Sequence, residues 1–170
     1  MTQVTAEIDL GGGVLVGFDG SSTSAEAVRW GARYAQRFGC RLHVVRCWSI
    51  SSAPRPPSAS VGYVPSLAEF EEAVSDRLRL DVEGLGLPDD VDVAHHVLHG
   101  AAGRRLIEAS ATADLLVVGA RGEGGFHGLR FGSTADQVVR HASCPVVVVP
   151  PDAGEGADGA PTDPDSRLGI

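Results

Sequence analysis

Short apolar runs alternate with longer amphipathic stretches along this chain, and most of the predicted architecture follows from that rhythm. Val14 to Phe18 is an apolar run of strand length, closed by the turn-forming Asp19-Gly20-Ser21-Ser22. Ala27, Trp30, Gly31, Tyr34 and Phe38 then recur at spacings of three and four as far as Gly39, which predicts an amphipathic helix with a glycine stop. Arg41 to Cys47 reads as a second strand. Ser49 to Pro65 carries Pro54, Pro56, Pro57 and Pro65 among serines and reads as a long irregular loop, a candidate lid over any ligand bound nearby.

Leu67 to Leu85 reads as a charged helix with Phe70, Val74, Leu78 and Val82 on one face, ended by Gly84, Gly86 and Pro88. Val91 to Leu98 alternates as a third strand and Ala101 to Ala111 forms a helix. Asp114 to Val118 is a fourth strand, Ser133 to His141 a helix, and Pro145 to Val149 a fifth strand. Strand and helix alternate throughout, so the fold class is α/β, with a mostly parallel sheet, helices on both faces and right-handed crossovers. Ligands of such sheets bind beyond the strand C-termini, which draws attention to Asp19 and to the glycines after Val118.

Gly119-Ala120-Arg121-Gly122 and Gly132-Ser133-Thr134 connect the fourth strand to the following helix. Ser133 is placed to cap that helix, with Asp136 three residues on as a variant capping box. Unpaired N–H groups and the positive end of the helix dipole favour an anion there, and glycines let it come close to the backbone.

The 170 residues, 43% of them hydrophobic, suffice for one core and one domain. With no apolar run of membrane-spanning length and no basic, apolar leader, a soluble cytoplasmic protein is expected, with no membrane partner. Cys40, Cys47 and Cys144 show no metal-binding or redox spacing. The net charge is −8, of which Asp152, Glu155, Asp158, Asp163 and Asp165 against Arg167 place −4 in the last twenty residues. The body is nearly neutral, and its arginines are scattered. Nucleic acid is therefore not an expected partner.

Several α/β families are removed by residues the chain lacks. All fourteen basic residues are arginine, so a P-loop, which needs GxxxxGK[ST], is excluded. No GxGxxG follows the first strand, which argues against a dinucleotide site, and no GxSxG supports a hydrolase elbow around Ser133. A receiver domain would normally use a lysine after its last strand.

Gly119-x2-Gly122-x9-Gly132-Ser133 resembles the nucleotide-binding signature of the universal stress proteins. Val16-Gly17-Phe18-Asp19-Gly20-Ser21 is similar to their first strand and turn, and His141-Ala142-Ser143-Cys144-Pro145 with the four valines after it to their closing strand. The resemblance implies a Rossmann-like five-stranded parallel sheet in the order 3-2-1-4-5, dimerisation through the last strand, Pro145 to Val149, and ATP binding. It implies a nucleotide-binding domain over residues 14–150; the residues on either side read as a flexible segment 1–13 and an acidic disordered tail 151–170.

Carried onto this chain, the resemblance places adenine and ribose near Gly17, Asp19 and Val44, closed off by Val118 and Gly119. The phosphates fall on Gly122, Gly132, Ser133 and Thr134. Asp19 meets a ribose hydroxyl or helps position Mg²⁺ on the phosphates. This chain has Ala120 where family members often carry serine. The implied function is that of an ATP-binding regulator of a stress response, with an unknown protein partner and no catalytic residue. Two alternatives stand beside it: an adenine-nucleotide hydrolase or adenylyl-transfer enzyme of the related α-hydrolase type, and a dimerising module that no longer binds nucleotide.

Other polar residues receive ordinary readings. Along a strand, His95 and His99 stand roughly 13 Å apart while His96 points to the opposite face, so the three cannot share a metal ion. Arg121, Arg130 and His127 are read as solvated, as are Glu69, Glu71, Glu72 and Asp76 on the charged helix.

Overall fold

A computed structural model describes residues 4–122 and 131–151 of the chain. The tail from residue 152, His127 and Arg130 lie outside the described residues, as do residues 1–3. The strands are β1 (Val14–Gly17), β2 (Leu42–Trp48), β3 (Val93–His99), β4 (Leu115–Gly119) and β5 (Val146–Val149). They pair in parallel in the order β3-β2-β1-β4-β5. The helices are α1 (Ser22–Phe38), α2 (Leu67–Glu83), α3 (Ala102–Ser110) and α4 (Ser133–His141). Order and class agree with the expectation from the sequence.

The central strand is apolar on both faces because both are covered, as parallel sheets require. Val14 and Val16 point into a cluster with Ala27, Val28 and Leu78 from α1 and α2, whereas Leu15 points into a second with Leu106 and Val138 from α3 and α4. On α1 the buried stripe consists of small residues, and at Gly31 a Cβ would stand 2.8 Å from Val16 Cγ2. The helix therefore lies close on the sheet. Gly39 ends it in the left-handed conformation, φ 63°, with its N–H bonded to the Ala35 carbonyl.

The segment before Gly13 is laid against the domain from Val4 onward. Ile8 and Leu10 pack on the α3–α4 side of the core, the His99 N–H donates to the Thr5 carbonyl at 2.7 Å, and the Leu10 N–H donates to Thr112 Oγ1 at 3.0 Å. Alternating apolar and polar side chains from Val4 to Leu10 give this strap one face to bury.

The loop 49–65, irregular as expected, is tied to the start of α2, where Ser66 and Glu69 form a full capping box. Hydrogen bonds from Ser58, from the Ser66 backbone and hydroxyl and from Tyr63 hold the Glu69 carboxyl down at about 2.

Candidate functional site

At the C-terminal edge of the sheet, β1 and β4 diverge to neighbours on opposite sides, and a cleft of about 390 Å³ opens there. Gly17, Asp19, Val118, Gly119, Gly122, Gly132, Ser133 and Thr134 all line it. Eight of the nine residues singled out from the sequence are thus brought together. Val44, read as a backbone contact with its side chain in the core, is not among them. Its side chain is fully buried in the cluster under α1 and α2, on the opposite face of the sheet, and its neighbours Val45 and Cys47 line the cleft instead.

The phosphate end of the cleft differs from the expectation by one residue. Gly132, with φ −69° and ψ 164°, is the N-cap of α4, so Ser133 is the first helical residue and caps nothing. Among the described residues, no side-chain cap bonds this helix end. The first backbone bond of the helix runs from the Asp136 N–H to the Gly132 carbonyl at 3.0 Å, while the Gly132 N–H donates to the Ala120 carbonyl at 2.8 Å. The N–H groups of the first turn therefore face the cleft, beside the hydroxyls of Ser133 and Thr134.

The glycines have distinct reasons for being glycine. A Cβ at Gly17 would meet Leu106 Cδ1 at 2.8 Å, and one at Gly119 would meet Thr23 Cγ2 at the same distance. At Gly122 it would stand 2.6 Å from Asp19 Oδ2. Gly132 is different: a Cβ there meets its nearest neighbour, the Gly122 backbone nitrogen, at an ordinary 3.5 Å. Among the described residues, packing does not demand glycine at 132, and the backbone there is open to close approach.

Asp19 is held in place by the start of α1. Its Oδ1 accepts from the Ser21 N–H at 3.0 Å and from the Ser21 hydroxyl at 2.6 Å. The opposite wall is apolar, built by Val45, Leu106 and Val118 with the Cys47 thiol among them. Burial pushes that thiol up to about 12, against a smaller opposing effect of Arg105, so it stays protonated and non-nucleophilic at neutral pH. The cleft thus joins an apolar end to an anion-seeking end.

The sequence reading missed Val45, Cys47, Ala102, Leu106 and Phe131 as lining residues. The alternation of β2 could have found Cys47, since it shares a face with Val45. Arg121, read as solvated, is exposed and lies on the rim. Ala120 is buried and turned away, with its N–H on the Val149 carbonyl at 2.7 Å, so alanine there removes no group from the cleft lining. A second cleft, of about 370 Å³, lies on the other side of Asp19 and contains Pro54 from the long loop. Among the described residues, no part of the loop 49–65 lines the first cleft.

The histidines do not assemble a metal site, and no group of three or more His, Cys, Asp or Glu does so among the described residues. His43 and His96 instead form a pair, with Nδ1 and Nε2 at 3.0 Å. Burial lowers both, and His96, with His43 and Arg41 beside it, falls to about 4.

The sequence model of the universal stress protein family matches residues 13–150. The chain belongs to the universal stress protein family. A universal stress protein of Mycobacterium tuberculosis strain H37Rv is 35% identical over 135 residues, covering 79% of this chain and 44% of that protein. One from Mycolicibacterium smegmatis is 32% identical over 145 residues, covering 81% of this chain and 47% of that protein. The chain spans about half the length of the curated relatives it matches. Among solved structures, a universal stress protein in complex with cAMP is 26% identical, with a TM-score of 0.51, over 80% of this chain and 94% of that one. Its agreement places this universal stress protein domain in the same five-stranded architecture. Among the described residues, no helix is long and apolar enough to cross a membrane.

Proposed function

We propose that this chain binds an adenine nucleotide, ATP foremost, in the cleft between β1 and β4, and acts as a nucleotide-dependent regulator in a stress response. The observation that carries this reading is the start of α4. Among the described residues, its N-terminal N–H groups have no side-chain cap, two hydroxyls flank them, and packing does not require Gly132 to be a glycine. A phosphate chain fits that end by charge and by clearance. The apolar wall of Val45, Leu106 and Val118 suits the base, and about 390 Å³ lies within the range of small-ligand sites. The cAMP held by a family member 26% identical to this chain supports the adenine-nucleotide class.

The ribose falls beside Asp19, between the two ends. Mg²⁺ would travel with the phosphates, with the hydroxyls of Ser133 and Thr134 and the carboxylate of Asp19 as the oxygen ligands on hand. Binding, rather than turnover, is the role we assign. Among the described residues lining the cleft, the titratable groups are Asp19, Arg121 and the Cys47 thiol, and the last is held protonated. The working state we propose is a cytoplasmic homodimer joined through β5, a sheet-edge strand with half-buried valines. Free Cys40, Cys47 and Cys144 suit a reducing compartment.

Mass spectrometry of whatever is released on denaturing gently purified protein tests the ligand class. Recovery of ATP or another adenine nucleotide in stoichiometric amount is expected. Recovery of a ligand without an adenine ring would overturn the assignment.

A further inference from the structure

We propose that Ser21 is a positioning residue for the nucleotide, acting through Asp19. The proposal rests on the adenine-nucleotide reading of the cleft and concerns what makes its ribose end selective. Ser21 is not itself a lining residue of the first cleft; it stands behind Asp19, at the N-cap of α1. Its hydroxyl is used twice. The proton goes to Asp19 Oδ1 at 2.6 Å, and the oxygen accepts the Ser24 N–H at 3.2 Å. The Ser21 N–H adds a second bond to the same carboxylate oxygen, at 3.0 Å.

One edge of the Asp19 carboxylate is thus fastened to the first turn of α1, and that turn is itself braced. The Ser24 hydroxyl donates to the Ser21 carbonyl at 2.9 Å and accepts from the Asp19 N–H at 3.4 Å. With Oδ1 held there, Oδ2 is directed across the cleft to within 2.6 Å of the place a Cβ on Gly122 would occupy. A carboxylate that must accept from a sugar hydroxyl gains from being fixed before the ligand arrives, because the cost of ordering it is then met in folding. Short, charge-assisted bonds from Ser21 do that fixing.

The two uses of the hydroxyl can be separated by substitution. Ser21→Thr keeps both. Ser21→Ala loses both. Ser21→Asp keeps a good N-cap acceptor for the Ser24 N–H but cannot donate to Asp19, and it sets a second negative charge beside it.

The experiment is equilibrium titration of ATP and of 2′,3′-dideoxy-ATP into the wild type and the three variants, with a thermal melt of each. We expect the wild type to prefer ATP. Ser21→Ala and Ser21→Asp should weaken ATP by about tenfold, the scale of a hydrogen bond to a charged group. Their affinity for the dideoxy nucleotide should stay within about twofold, and Ser21→Thr should restore the preference. Equal weakening of both nucleotides would overturn the proposal and reduce Ser21 to a helix cap, as would wild-type affinity in Ser21→Asp. A wild type that binds both nucleotides equally refutes the ribose contact and the positioning role while leaving the site intact. A wild type that binds neither refutes the nucleotide reading and the role with it.

Discussion

Asp19 occupies the space that a side chain at Gly122 would need: its Oδ2 lies 2.6 Å from the position of a Cβ there. The turn after the first strand and the glycine loop after the fourth are therefore fitted to each other across the cleft, and neither can change alone. Gly122→Ala should displace the carboxylate and weaken ATP by about tenfold, comparable to removing the carboxylate by Asp19→Ala. Because both act on one contact, the double variant should lose little more than either single one. A titration-based double-mutant cycle measures this, and strictly additive losses would show that the two residues act independently.

The His43–His96 pair predicts acid sensitivity. Burial lowers both rings, His96 to about 4, whereas an unfolded chain takes up these protons near 6.5. Between those values the unfolded state binds more protons than the folded one. The associated stability is complete above about pH 6.5 and is lost as pH falls toward 4, with a slope of up to about 1.4 kcal/mol per pH unit for each proton. Urea unfolding midpoints should drop over that interval, and His96→Gln should flatten the drop. An unchanged slope in the variant would assign the acid sensitivity elsewhere.

Much of this architecture was legible in the sequence because each strand and helix carries its own period and its own stop, as Gly39 and the Ser66–Glu69 pair illustrate. The residues of the apolar wall mark where legibility ended. In a parallel sheet both faces are apolar, so composition does not say which of two neighbouring residues turns toward the cleft; register and the packing of α3 decided for Val45 and Cys47. The cap of α4 shifted by one residue because glycine is itself an acceptable N-cap and stands directly before Ser133. The strap from Val4 to Leu10 escaped notice because its pairing partners, Thr112 and His99, are about a hundred residues away.

Cys47 should resist alkylation even though it lines the cleft. Its thiol is pushed up to about 12, so almost none is thiolate at pH 8. Peptide mapping after brief iodoacetamide treatment should find Cys47 unlabelled in the folded protein and labelled after denaturation. Rapid labelling of the folded protein would contradict the burial that defines the apolar wall.

The sheet edge predicts association. On α1, Trp30 and Tyr34 stack at 5.6 Å and Tyr34 meets Phe38 at 4.4 Å, while Trp30 and Tyr34 pack half-buried on the same cluster as Val147 and Val149 of β5. An edge strand of this kind needs a cover. Sedimentation at micromolar concentration should give the mass of two chains, and Val147→Lys should shift it to one. A wild type that sediments as a single chain would remove β5 as an interface.

The most direct test of the account is Gly132→Ser, studied by ATP titration together with thermal unfolding. A serine in that backbone conformation would cap α4 itself, since nothing among the described residues excludes its Cβ. The nucleotide-free variant should be as stable as the wild type or more stable by a few tenths of a kcal/mol. Its hydroxyl would also take the N–H groups assigned to phosphate, so ATP affinity should fall at least about tenfold. A stabilised protein that binds worse is the predicted result; a Gly132→Ser protein that binds ATP as the wild type does would contradict a phosphate at the start of α4.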